Sequence, residues 1–331
     1  MPDSNELSTS SRELFHHLME RLSGPMRMQE AVESLFVFSN MHVPDHLYRY
    51  RECGKPHSFS DVENSLITLS SPSKFNDEDD TAIHDDGTMD RMAATIIEQV
   101  DFAFEMLCNH MSVFEPAMGD QASSLLSFAE GVRNMPRPKR KEAIEGLTRQ
   151  IRNQVDIHKS SEILQDQQKI TCLCENSNSN YMWEQYGGAG TGYTIEYESR
   201  SLFEIDLKNK RSPLILPVVY TDSLPDTLLL PVTLMVEEPF KSMMGEDFFE
   251  GLQAINLIKC VFYKHIDPYI AEEEWRLMLA PQETERGEER IYRPAKPSRL
   301  IAGNNMSPQD RQKLVECAEL YGIPVDGRPV Q

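Results

Sequence analysis

Apolar residues recur at helical spacing near the start of the chain. Leu14, Phe15, Leu18 and Leu22 follow a Ser10–Glu13 pair in the form of a capping box, and Gly24-Pro25 ends the run. A second short helix is expected on Met28, Val32, Leu35 and Phe36, with Pro44 closing this N-terminal arm. The pattern then changes. Residues 47–51, aromatic and basic in turn, suit a strand, 60–67 a turn of helix, and 66–70 a second strand stopped by Ser71-Pro72. A loop of Phe75, Asn76, Asp77, Glu78, Asp79 and Asp80 follows, and no Lys or Arg occurs between Lys74 and Arg91.

The middle of the chain is expected to be helical. Met92, Ile96, Val100, Phe104 and Leu107 share one face, as do Ile144, Leu147, Ile151 and Val155. Between them lies a basic run, residues 137–141, which suits a solvated helix start or a phosphate or nucleic-acid contact. From 169 strands return at 169–175, 192–198, 216–221, 275–279 and 299–302, with a helix near 248–258. Ser307-Pro308 begins a last helix with Gly322 past its end, and 323–325 could finish the sheet. This order predicts an α+β fold with a split or strongly bent mixed β-sheet and flanking helices. A helical arm (1–45) precedes a single domain (46–331) that carries a helical insertion at about 90–165.

Charge and composition narrow the function classes. Over 331 residues, 53 acidic and 33 basic side chains give a net charge of −20, with 40% hydrophobic and 26% charged residues. That is a globular composition, and its sign disfavours broad attraction to nucleic acid or anionic membrane. The N-terminal residues are acidic and polar, unlike a signal peptide, and no apolar run approaches the length of a membrane span, so a cytoplasmic location is expected. Cys172 and Cys174 form the only close pair among six cysteines, and no second Cys or His pair completes a zinc pattern, so reduced core cysteines are expected.

The motifs resemble a bacterial family, domain-of-unknown-function family 2971. The opening motif lies at Tyr48, Arg49, Tyr50 and Arg51, and the Ser-Pro-Ser-x-Phe-Asn-Asp motif at Ser71, Phe75, Asn76 and Asp77. A central motif joins Cys172 and Cys174 to Met182, Trp183, Tyr186 and Gly187. A late one joins Lys264-His265 to Glu272, Glu274, Trp275 and Arg276. The resemblance covers roughly 47–331, with two departures. The family's usual Asn-Asp-Pro-Phe-Asp is here Asn76-Asp77-Glu78-Asp79-Asp80, and Cys174 stands where serine is commoner. The family carries no established activity, so the chemistry rests on the residues.

The order of an early Arg (Arg49 or Arg51), a strand-end Ser (Ser70 or Ser71) and a late Glu-x-Glu is similar to the arginine–serine–glutamate class of ADP-ribosyltransferases. Such enzymes break the nicotinamide–ribose bond of NAD by positioning and electrostatics. In that reading, a strand places Glu272 and Glu274 on one face; Glu274 holds the ribose, and Glu272 positions or deprotonates the acceptor. Tyr48, Phe75, Asn76, Asp77, Trp183, Tyr186, Lys264 and Arg276 complete the candidate NAD site, in a bacterial toxin or phage-defence protein. A metal-dependent nuclease, with Asp77 to Asp80 and the two glutamates as magnesium ligands, is the alternative enzyme. A non-catalytic interaction or sensor protein, pairing through its N-terminal helices with a protein partner or a second copy, is the alternative class. The glycine-rich 187–192 run enters a strand rather than a helix, so it suits a tight connection better than a phosphate loop.

Overall fold

A computed structural model describes residues 10–23, 26–55, 57–75, 77, 80–109, 111, 120–231, 241, 245–285 and 287–329. The chain begins with α1 (Ser11–Leu22) and α2 (Met28–His42), followed by β1 (His46–Arg51), α3 (Ser60–Glu63) and β2 (Leu66–Ser70). Five helices then run without a strand among the described residues: α4 (Thr88–Glu98), α5 (Val100–Asn109), α6 (Asp120–Asn134), α7 (Arg137–Gln154) and α8 (Ile157–Gln167). The second half holds β3 (Lys169–Cys174), α9 (Asn180–Gln185), β4 (Tyr193–Glu198), α10 (Ser199–Leu202), β5 (Leu214–Pro217) and β6 (Val219–Thr221). It closes with α11 (Glu246–Phe262), β7 (Tyr263–His265), β8 (Glu274–Leu279), β9 (Arg290–Pro294), β10 (Arg299–Ala302), α12 (Pro308–Glu319) and β11 (Val325–Gly327).

The fold is α+β, with helices flanking a mixed nine-stranded sheet. One path runs β11-β10-β4-β1-β3-β2-β9, and β8 and β5 continue from β3. The β10–β11 pair is parallel and the other pairs of this sheet are antiparallel. Strand β3 is the branch point. It pairs with β8 from Lys169↔Leu279 to Cys174↔Glu274. It also meets β1 only at Tyr48↔Cys174 and β2 only at Ser70↔Ile170. The sheet therefore splits between β1 and β2.

A polar plug fills the split. The Arg49 Nη1 donates to the Thr68 carbonyl (2.9 Å) and to Asp61 (3.1 Å). Arg51 and the Thr68 hydroxyl also donate to Asp61, and the Thr171 hydroxyl donates to the Thr68 carbonyl. These bonds satisfy polar groups that the diverging strands leave without ladder partners. Desolvation pushes the fully buried Asp61 carboxyl up, but Arg49, Arg51 and Thr68 more than offset it and hold its pKa below the usual value.

The two faces of the sheet carry different contents. Leu47, Leu173, Trp275 and Leu277 point into the larger core, against α3 and α12. On the opposite face, Ile170, Leu214 and Leu216 pack beneath Phe15, Met19, Leu35 and Phe38 of α1 and α2 and beneath Ile258 and Phe262 of α11. Cys174 joins Tyr50 and Trp183 in a third cluster under α9. The Ser10–Glu13 capping box forms, but the inward face of α1 is Phe15, Met19 and Leu22, with Leu14 turned outward.

Three differences from the expected elements have local causes. The strand expected over 216–221 breaks: Pro217, on an edge strand where its missing N–H faces away from β8, is tolerated, and the Val218 N–H makes the last bond to β8, at the Glu274 carbonyl (2.9 Å). Its second half, β6, leaves the sheet and pairs in parallel with β7. The sequence pattern did not reveal β7, which has three residues, or β9, a path-end strand with two arginines among its five residues. No helix among the described residues is long and apolar enough to cross a membrane.

Removing the plug's shared acceptor strands two arginines in the split. Asp61→Ala is expected to lower unfolding free energy by about 3–5 kcal/mol, measured by urea denaturation. A change below about 1 kcal/mol would show that water replaces the carboxylate.

Candidate functional site

Even-numbered positions of β3 cross the second face as Ile170, Cys172 and Cys174. The outer two join apolar clusters, and Cys172 stands between them over a set of buried charges. The register sets this arrangement, since Cys172 pairs with Arg276, and Cys174 with Glu274.

Arg276 is the centre of the set and is 0% exposed. Its Nη1 and Nη2 reach the two Asp80 oxygens at 2.7 Å each. Its Nε and Nη2 reach the Glu274 oxygens at 2.8 and 3.3 Å, and Nη1 also donates to the Val261 carbonyl at the end of α11. All five guanidinium protons thus have acceptors, which is the condition for burying such a group. Asp80 reaches the site from the loop after β2, its carbonyl held by Gln165 of α8 at 2.9 Å.

Lys264 of β7 lies beside it. Its Nζ is 2.9 Å from Glu272, 3.6 Å from Glu274 and 3.7 Å from Asp80, and 3.9 Å from the centre of the Tyr269 ring. Burial alone would pull its pKa down, but Glu274, Asp80 and Glu272 outweigh that and keep the ammonium charged. Tyr186, just past α9, donates to the other Glu272 oxygen at 2.6 Å.

Glu272 and Glu274 do come together, though not by strand alternation. Glu272 ends a 3₁₀ turn (Tyr269–Glu272), and Glu273 takes a left-handed conformation with φ 48° before β8 starts at Glu274. A non-glycine residue in that region is uncommon and marks a constrained turn. The two carboxylates, 3% and 4% exposed as residues, differ in proton affinity. Desolvation and the Glu274 charge raise the pKa of Glu272, while Lys264 and Tyr186 offset only part of this. Desolvation also opposes ionisation of Glu274, but Arg276 and Lys264 outweigh it and hold its pKa down to about 2.

Cys172 locates the approach to the cluster. Crowding by protein, with the nearby Glu274 charge, raises its thiol pKa well above the usual value, yet the residue is exposed to solvent. Its thiol donates to Glu274, and its charge-bearing form would face Arg276 and Asp80.

The expected residues therefore divide. Lys264, Glu272, Glu274, Arg276 and Tyr186 converge, and Phe75 lies against Arg276, 5.9 Å from its ring centre to the guanidinium carbon. Asp77 accepts from Tyr269 at the same site. Asn76, with Glu78 and Asp79, lies outside the described residues.

Arg49 and Arg51 are not brought to Glu274. The row Tyr48↔Cys174↔Glu274 puts Tyr48 on the site's face, so alternation sends both arginines to the other side, where Asp61 holds them. Tyr48 hydrogen-bonds Glu196, towards β4 and Arg299. The Ser71 hydroxyl is buried and accepts from Lys169 Nζ at 2.8 Å, while Ser70 is half-buried opposite Ile170. Trp183, 1% exposed, donates to the Ser177 carbonyl and packs edge-on against Tyr50, so it belongs to the core.

The 187–192 run is a tight connection. A Cβ at Gly187 would fall 2.6 Å from the Trp183 ring, and one at Gly192 would fall 2.0 Å from the Arg51 carbonyl oxygen. Among the described residues no group of three or more His, Cys, Asp and Glu is arranged to hold a metal ion. Asp80, Glu272 and Glu274 instead surround two protein cations. The sequence places Asp80 in the acidic loop but does not mark it as a partner of Arg276, and Cys172, expected in the core, is exposed. Nor does the sequence signal Tyr220, whose hydroxyl accepts from the Glu274 N–H at 2.9 Å. No protein-family model, curated protein or solved structure matches the chain.

The pH dependence of stability follows from Glu274. Its folded pKa lies below the ordinary 4.5, so its contribution is full above pH 4.5 and is lost as pH falls towards about 2. The loss is expected to be on the order of 3 kcal/mol, at roughly 1.4 kcal/mol per pKa unit. Glu272 has the opposite sign, because its raised pKa makes the protonated folded form the favoured one at low pH. Denaturation midpoints between pH 6 and 2.5 should therefore fall less steeply in Glu274→Gln than in the wild type, and more steeply in Glu272→Gln.

Proposed function

We propose that this chain is an ADP-ribosyltransferase-like enzyme that cleaves the nicotinamide–ribose bond of NAD, with Glu272 and Glu274 as its reacting pair. The observation that carries this reading is the pair itself. Two carboxylates of one turn have proton affinities pushed apart by different partners, beside the solvent-exposed Cys172. Paired carboxylates of unequal acidity are what cleavage through an oxocarbenium-like transition state uses. The convergence of Phe75, Asp77, Tyr186, Lys264 and the Glu272–Arg276 motif also supports a shared site.

The roles follow from the partners. Glu274 stays ionised and would stabilise positive charge developing on the ribose. The C1′–N bond breaks with its electron pair leaving on nicotinamide, an acceptor oxygen bonds to C1′, and Glu272 takes the acceptor's proton. A raised pKa suits Glu272 to that exchange nearer neutral pH. Tyr186 and Lys264 would return the carboxylate to position after each proton transfer. Arg49 and Arg51, spent on Asp61, would not hold the dinucleotide phosphates.

Purified protein incubated with NAD should release nicotinamide, followed by chromatography. Glu272→Gln should slow release by at least about 100-fold, with the melting temperature little changed. Wild-type protein that leaves NAD intact, or an equally active Glu272→Gln variant, would end the assignment.

A further inference from the structure

The Glu272–Glu273–Glu274 turn is fastened from outside the motif-bearing region. Arg12, in the first turn of α1, donates through Nη1 to Glu175 (2.9 Å) and through Nη2 to the Glu274 carbonyl (3.3 Å). The other Glu175 oxygen accepts from the Trp275 indole at 2.8 Å, and the Glu175 N–H donates to the Glu273 carbonyl at 3.4 Å. Residues 273, 274 and 275 are thus all held by Arg12 and Glu175.

The link is polar rather than packed. A groove of about 570 Å³, lined by Arg12, His16, Tyr220, Ile270 and Glu273, runs between α1 and the turn. The Arg12 Nε is buried with no acceptor, an arrangement that costs stability and that surface anchoring of a helix would not require. Phe15, Met19 and Leu22 already seat α1 in the core.

We propose that Arg12 is a positioning residue: by holding 273–275 it fixes the separation of the Glu272 and Glu274 carboxylates, which makes α1 a component of the reacting site. This rests on the reading of that pair as the catalytic groups. The mechanism is geometric. Glu273 is left-handed between a C-terminal side that Arg12 and Glu175 hold and Glu272, which meets Lys264. Six groups face Glu272 from the surrounding elements: Glu274, Lys264, Tyr186, Tyr181, Tyr220 and Tyr269. Of these, Glu274 is the one whose backbone Arg12 touches, at a carbonyl that also accepts from the Val218 N–H at 2.9 Å.

The full-length chain carrying Arg12→Gln tests this, with Arg12→Lys as a second variant that keeps the charge opposite Glu175 but lacks the fork. Hydrogen exchange at 273–276 should rise by at least tenfold in Arg12→Gln and less in Arg12→Lys, with exchange in β4 and β10 unchanged. Carboxyl NMR should show Glu272 titrating closer to the ordinary glutamate value. With NAD, kcat should fall by roughly 10- to 100-fold at unchanged KM, as for misplaced reacting groups. Unaltered Glu272 titration and unaltered exchange in both variants would overturn the proposal. If the wild type does not cleave NAD while both physical readouts respond, the positioning role stands and the NAD assignment falls.

Discussion

The buried guanidinium of Arg276 is the constraint around which this molecule is arranged. Taking a cation fully out of water is costly, and the cost is offset only when every donor finds a well-placed acceptor. Here the acceptors come from three separated parts of the chain: Asp80 after β2, Val261 at the end of α11, and Glu274 at the start of β8. None can shift without leaving buried guanidinium N–H donors without acceptors. The long helical segment between β2 and β3 must therefore return its last helix, α8, to where Gln165 can hold the Asp80 carbonyl. In the same way, α11 must end where Val261 meets the guanidinium.

That constraint also sets the local electrostatics. Arg276 uses both oxygens of Glu274, and Glu274 stays ionised despite its burial. Once Glu274 is fixed as an anion, its neighbour Glu272 is the group whose charge is least favoured. Lys264 lies between them and prevents full neutralisation of either. The difference in acidity is thus a consequence of who binds Arg276, and it persists as long as the guanidinium stays buried.

The parts of the site legible in the sequence were those whose residues lie together along the chain. The strands at 66–70, 169–174 and 299–302, and the charged run before Trp275, were visible because period-two patterning and turn residues are local signals. The Glu272–Glu274 pairing was anticipated on the wrong ground. Strand alternation predicts it, and a left-handed Glu273 produces it, a conformation for which a glutamate gives no warning. Arg49 and Arg51 illustrate a different failure. Early basic residues and a late Glu-x-Glu looked like one site, but which face a side chain takes depends on strand register, and register is a property of pairs of strands. Asp61, their actual partner, sits in a short helix with nothing in its neighbourhood to mark it as the plug of a split sheet.

The division of labour between the two arginine systems follows from the same geometry. A sheet that branches at β3 creates two places where backbone polar groups lose regular partners: the gap between β1 and β2, and the end of β8 beside the turn. Arg49 with Asp61 closes the first on the face of the larger core. Arg276 with Asp80 and Glu274 closes the second on the opposite face. The first lies beside the apolar packing of α3 and α12, with Arg49 and Arg51 still partly exposed. At the second, the split that separates β1 from β2 leaves Cys172 without a strand neighbour on that side, and Cys172 is exposed. A branched sheet thus makes two ionic plugs, one on each face, and the one around Arg276 is the more deeply buried.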